Sequence, residues 1–120
     1  MNVLIATTDP GLAEIWARHL RREGLVVFAT TSEETALTYL ANNAADALVL
    51  DVHLEDGSAM AIADYASYRW PSARVVFVTN STFFSDGSIF RLAPNAAAFL
   101  EHETPPGDLA AIVEYHAKAG

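Results

Sequence analysis

Ala47-Leu48-Val49-Leu50-Asp51 decides the fold of this chain: four apolar residues in a row, then a carboxylate. A strand covered on both faces reads as an unbroken apolar run, whereas a strand with one wet face alternates. The charge that ends the run then belongs at the rim of a sheet. An earlier run, Val3-Leu4-Ile5-Ala6, has the same character and stops on Thr7-Thr8-Asp9. Two buried strands with polar tips place a candidate site where those tips meet.

Helical patterns alternate with these strands. Asp9-Pro10 supplies an N-cap and a proline at the first helical position, and Leu12, Ile15, Trp16, His19 and Leu20 give one apolar face. Gly24 is placed to end that helix. Residues 25–30 read as a strand, and Thr31 with Glu34 offers a capping box for a helix carrying Leu37, Leu40 and Ala41, closed at Asn42-Asn43. After Ala47–Asp51 come the turn Glu55-Asp56-Gly57, a helix over 58–70 stopped by Pro71, and a strand Arg74–Thr79. A short helix over 85–93 broken at Pro94, a strand over 97–101 and a last helix from Pro106 complete the pattern. That helix carries Leu109, Ile112, Val113 and His116 on one side, and Lys118-Ala119-Gly120 is expected to fray. Strand then helix, repeated, predicts an α/β fold with a parallel sheet covered on both faces. Ligands of such sheets sit at the carboxyl ends of the strands. Here those ends carry Thr7, Thr8, Asp9, Asp51, Thr79 and His102.

With 120 residues, 52% of them hydrophobic, the chain suits one compact domain over 1–120. Fifteen acidic residues against seven basic give a formal charge of −8, which argues against a nucleic-acid backbone binder despite the local group Arg18, Arg21 and Arg22. The absence of cysteine removes disulfides, thiol nucleophiles and thiolate metal sites. The first residues read as a strand rather than a charged-then-apolar leader, and no apolar stretch is long enough to span a bilayer. The expected location is cytoplasmic, with no membrane association.

The segment 46–59, Asp-Ala-Leu-Val-Leu-Asp-Val-His-Leu-Glu-Asp-Gly-Ser-Ala, resembles the acceptor segment of response-regulator receiver domains, with the acceptor aspartate at Asp51 and a leucine three residues on. Val75-Val76-Phe77-Val78-Thr79 is similar to the strand that ends in the family's switch hydroxyl. Asn95-Ala96-Ala97-Ala98-Phe99-Leu100 is similar to the stretch holding its switch aromatic. The resemblance covers essentially the whole chain. It implies a flavodoxin-like (βα)5 doubly wound sandwich, a phosphoacceptor position at Asp51 and switch residues Thr79 and Phe99, with His53 and Ser81 flanking the site.

Three departures fall on the chemistry. The acidic pair that carries magnesium in the family is matched by Thr7 and Thr8, with Asp9 one position later; the family's lysine is matched by His102. Lys118 is the only lysine in the chain. The proline after that lysine, often in a cis peptide, is Glu103, and a non-proline cis bond costs about 3 kcal/mol, so a trans path is expected. Phosphoryl transfer to a carboxylate depends on positioning and on cations that neutralise the transferred group. Magnesium prefers hard oxygen ligands, usually including carboxylates, and two threonine hydroxyls are poor substitutes. Asp9 is expected to cap the first helix. His102, flanked by Glu101 and Glu103, either pairs with Asp51 as an imidazolium or stands exposed in its loop.

Set against the resemblance, these departures imply a degenerate pseudo-receiver acting through protein–protein interaction, with no catalytic residues assigned and no metal or cofactor beyond weak magnesium binding. The alternative is a working phosphoacceptor phosphorylated on Asp51 by a histidine kinase, with Asp9 and Thr8 holding a weakly bound metal. A transition-metal set of Asp51, His53, His102 and Asp9 lacks supporting histidine spacing. An unrelated hydrolase is opposed by the absence of a Gly-x-Ser-x-Gly elbow or a Gly-rich phosphate loop. His19 and His116 read as packing or surface residues. Expected partners are a histidine kinase or a downstream output protein. Phe83, Phe84, Ile89 and Phe90 suggest a partner or homodimer surface formed by the helix over 85–93, the fifth strand and the last helix; alternatively Phe83 and Phe84 fold over that helix as a local staple.

Overall fold

The computed structural model of the chain describes residues 1–52, 58–79 and 94–119. Five strands form one all-parallel sheet: β1 (Asn2–Ala6), β2 (Val26–Thr30), β3 (Ala47–Asp51), β4 (Arg74–Thr79) and β5 (Ala96–Glu101), in the order β2-β1-β3-β4-β5. The described helices are α1 (Pro10–Arg22), α2 (Glu33–Asn42), α3 (Ser58–Arg69) and α4 (Pro106–Ala119). This is the flavodoxin-like arrangement expected from the sequence. The turn at 55–57 and the helix expected over 85–93 lie outside the described residues.

Side chains of successive strand residues point to opposite faces. Leu4, Ala6, Leu48, Leu50, Val75 and Phe77 therefore pack with Ala36, Leu40, Ile62 and Ala66 of α2 and α3. Val3, Ile5, Ala47, Val49, Val76 and Val78 pack on the other face with Trp16, Leu20, Leu109 and Val113 of α1 and α4. β3 is buried at every position because strands flank it on both sides and helices cover both faces. Val26 of the marginal strand β2 is 60% exposed.

Asp9 caps α1, its Oδ1 accepting from Gly11 N at 3.0 Å and Leu12 N at 3.2 Å. Gly24 follows the helix with φ of 85°, a left-handed conformation that suits a residue without Cβ. Four expectations are corrected. Ala13 and Ala17, rather than Ile15, share the buried face of α1 with Trp16 and Leu20; Ile15 is exposed. The N-cap of α2 is Ser32, whose Oγ accepts from Thr35 N, not Thr31; Glu33 then bonds across to Ser58. β2 begins at Val26 and β5 at Ala96, each one residue from its expected start. The last helix, expected to fray from Lys118, continues to Ala119, and Lys118 pairs with Glu114 at 2.7 Å; Gly120 lies outside the described residues.

Candidate functional site

Parity and register bring the site together. Thr7 continues the Val3–Ile5 row, Asp51 the Ala47–Val49 row and His102 the Ala98–Leu100 row, so all three belong to the face covered by α1 and α4. Ala6 and Leu50 are register partners, which sets Thr7 beside Asp51. The Thr7 hydroxyl donates to Asp51 Oδ2 at 2.7 Å, and both residues are buried. His102 Nε2 lies 3.1 Å from the same oxygen. His102 is thus not an exposed loop residue: its side chain is 20% accessible, and Trp16 of α1 stacks on its ring with centroids 6.4 Å apart.

A carboxylate at the end of an apolar strand needs compensation for the water it has lost. Here a hydroxyl donor supplies part of that compensation, and the imidazole of His102 stands beside the same oxygen, both brought by neighbouring strand ends. The backbone ties the same corner: His102 N donates to Thr79 O at 2.8 Å, and Val52 N donates to Val78 O at 2.9 Å. Through His102, the tip of β4 and the carboxylate of β3 are joined to one residue.

The other sequence-predicted residues divide into two sets. Thr79 is buried and takes the opposite parity, that of Val75 and Phe77; Phe99 is half-buried and stacks on Phe77 with centroids 6.1 Å apart. Thr8 and Asp9 are exposed, and Asp9 serves the helix cap, with its own N–H donating to Thr7 Oγ1 at 3.3 Å. His53, Ser81 and the aromatic pair Phe83 and Phe84 lie outside the described residues. No group of three or more metal-binding side chains occurs among the described residues. His19 bonds Ile15 O through Nδ1, and His116 packs edge-on to Tyr115, both away from the strand ends. Every peptide bond among the described residues is trans, including those of the loop after β5.

Two contributors escaped the sequence reading. Trp16 was legible as a core residue of α1, but its stacking on His102 depends on how α1 crosses the sheet. Ser58 and Glu33 join the first turns of α3 and α2 at 2.6 Å and, with Thr8, Ser32, Glu34 and Leu37, line a groove of about 460 Å³ beside the site. A serine opening one helix and a glutamate opening another carry no sequence signal of contact.

Comparison with known proteins bears on the family and the fold. The model of the response regulator receiver domain matches residues 3–114. The fold is similar to a CheY-like response regulator receiver domain protein from Methanospirillum hungatei, with a TM-score of 0.81 and 21% identity over 99% of this chain and 98% of that one. A response regulator from Burkholderia pseudomallei, solved with a phosphorylated aspartic acid and calcium, has a TM-score of 0.81 and 19% identity over 98% of this chain and 69% of that one. TrrA from Thermotoga maritima, solved in complex with Mg2+-BeF, has a TM-score of 0.80 and 16% identity over 96% and 97%. A sequence search of curated proteins finds no match. At these identities the solved structures speak for the fold, and the family match over nearly the whole chain makes the stronger statement: the protein belongs to the response regulator receiver domain family of two-component signalling.

Proposed function

We propose that this receiver is a pseudo-receiver: it signals by binding a protein partner, and magnesium-dependent phosphorylation of Asp51 is impaired or lost. The observation that carries this reading is the pair of contacts on Asp51 Oδ2, Thr7 Oγ1 at 2.7 Å and His102 Nε2 at 3.1 Å. Both come from positions where the family resemblance expects cation chemistry, an acid for magnesium and a lysine.

The donor set fits magnesium poorly. Thr7 offers a hydroxyl whose proton already points at Asp51, Thr8 offers another hydroxyl, and Asp9 is engaged with the first turn of α1. In this reading the Thr7–Asp51–His102 arrangement holds the strand ends in one signalling state. The partner is a histidine kinase or an output protein, and the location is the cytoplasm. No helix among the described residues is long and apolar enough to cross a membrane.

Incubation with a small phosphodonor and magnesium, followed by intact-mass measurement, tests this reading. Wild type and Asp51→Asn are expected to show no adduct. The triple variant Thr7→Asp/Thr8→Asp/His102→Lys is expected to gain a magnesium-dependent one. A magnesium-dependent adduct on wild type that Asp51→Asn abolishes would sink the proposal.

A further inference from the structure

β2 closes one margin of the sheet, and its amide groups divide between two sides. Val26 N donates to Met1 O and Thr30 O accepts from Thr7 N, so Val26, Phe28 and Thr30 turn their amides toward β1. By alternation, Val27 and Ala29 turn theirs outward. Arg21 Nη2 donates to the outward carbonyl of Val27 at 3.2 Å. The segment 25–31, Leu-Val-Val-Phe-Ala-Thr-Thr, contains neither charge nor proline, the features by which edge strands discourage pairing.

Beside this edge, α1 and β2 bound a groove of about 400 Å³ lined in part by Ala13, Glu14, Ala17, Arg21 and Ala29. Glu14 and Arg21 are exposed and stand about 10 Å apart along α1, with the small side chain of Ala17 between them.

We propose that β2 pairs antiparallel with β2 of a second copy of this chain, about a two-fold axis perpendicular to the sheet and midway between the two Phe28 residues. In this register Val27 of each copy lies opposite Ala29 of the other, and each such pair exchanges both N–H···O bonds. Phe28 faces Phe28, and the exposed Val26 faces Thr30 of the second copy. The axis puts both α1 helices on the same side of the joined sheet, running antiparallel, with Arg21 of each copy opposite Glu14 of the other. Arg21 exchanges its bond to Val27 O for that carboxylate, leaving the carbonyl to the incoming Ala29 N–H.

An isologous contact requires a patch complementary to itself. An acid and a base placed symmetrically about a small residue, beside an uncharged strand, meet that requirement. At a net charge of −8, copies of the chain repel one another in general, so a margin that carries Arg21 beside Glu14 is favoured for self-contact. The proposal goes beyond the pseudo-receiver reading and does not depend on whether Asp51 accepts phosphate.

Sedimentation velocity over a concentration series tests it, using wild type, Glu14→Arg, Arg21→Glu, the double variant and Ala29→Pro. Wild type is expected to dimerise reversibly. Each single reversal sets like charges opposite each other at both ends of the seam and is expected to weaken association by about tenfold or more. The double variant, whose charges are again complementary across the axis, is expected to recover most of that loss. Ala29→Pro is expected to abolish association while its circular dichroism stays native, because the lost N–H faces outward. A monomer at every concentration would overturn the proposal. So would a dimer indifferent to the charge reversals, or a double variant no tighter than the single ones.

Discussion

β3 and β2 flank β1 as five-residue strands of similar apolar content, yet β3 is buried at every position and β2 at none. The difference is position in the sheet. β3 lies between two strands under helices on both faces, so its only polar residue, Asp51, has to be compensated by neighbouring strand ends. β2 has a strand partner on one side only among the described residues, so its surplus is main-chain hydrogen bonding rather than charge. The interior strand therefore carries the candidate site, and the marginal strand carries the proposed surface for a second copy.

Substitution can break this comparison most sharply at matched apolar positions. Leu48→Ala, in the fully buried strand, is expected to lose about 3 kcal/mol in urea denaturation, whereas Val26→Ala is expected to change stability by less than about 0.5 kcal/mol. Comparable losses at the two positions would contradict the division. At the tip of the interior strand, Thr7→Val keeps the shape and removes the donor to Asp51. It is expected to cost about 2 kcal/mol, the scale for a hydrogen bond to a buried charged group. An unchanged midpoint would mean that Thr7 does not hold Asp51.

Asp9 separates the capping role from a metal role. Asp9→Ala is expected to cost about 1 kcal/mol and Asp9→Ser to recover most of it, since a serine oxygen still accepts from the first turn of α1. Failure of serine to recover the loss would point to a role for the carboxylate beyond the cap.

The smallest effect is expected on the exposed α1–α4 seam. There the hydrogen bond from Lys118 holds the Glu114 carboxyl below its ordinary range, while the hydrogen bond with Glu114 raises that of Glu23. A depressed carboxylate favours the fold above its unfolded value, and that contribution is lost as pH falls through the folded value. The raised Glu23 works in the opposite sense, losing its contribution as pH rises. Lys118→Met is expected to move the Glu114 midpoint upward in an NMR titration with little change in melting temperature. A downward movement would refute the pairing.

Much of the fold was legible because its signals are local. The unbroken runs at Val3–Ala6 and Ala47–Leu50 could be stable only as doubly covered strands, and Asp9-Pro10 marks a helix start by its own chemistry. Sequence and structure differ where local signals compete. Thr31 and Ser32 are both able caps, and which one serves depends on where β2 releases the chain. Ile15 and Ala17 both suit the apolar side of α1, and the close approach of that helix to the sheet favours the smaller residue.

By itself the sequence determined which segments form strands and helices and which residues lie at strand ends, and its resemblance to the family set Thr7 and His102 against an expected acid and lysine. Only the tertiary structure decided that Thr7 and His102 converge on one oxygen of Asp51, that Trp16 stacks on His102, and that Glu14 and Arg21 stand beside the edge of β2. Burial and capping are read within a few residues of chain. Convergence depends on crossover connections that bring residues 7, 51 and 102 together, and no periodicity within a single segment encodes that.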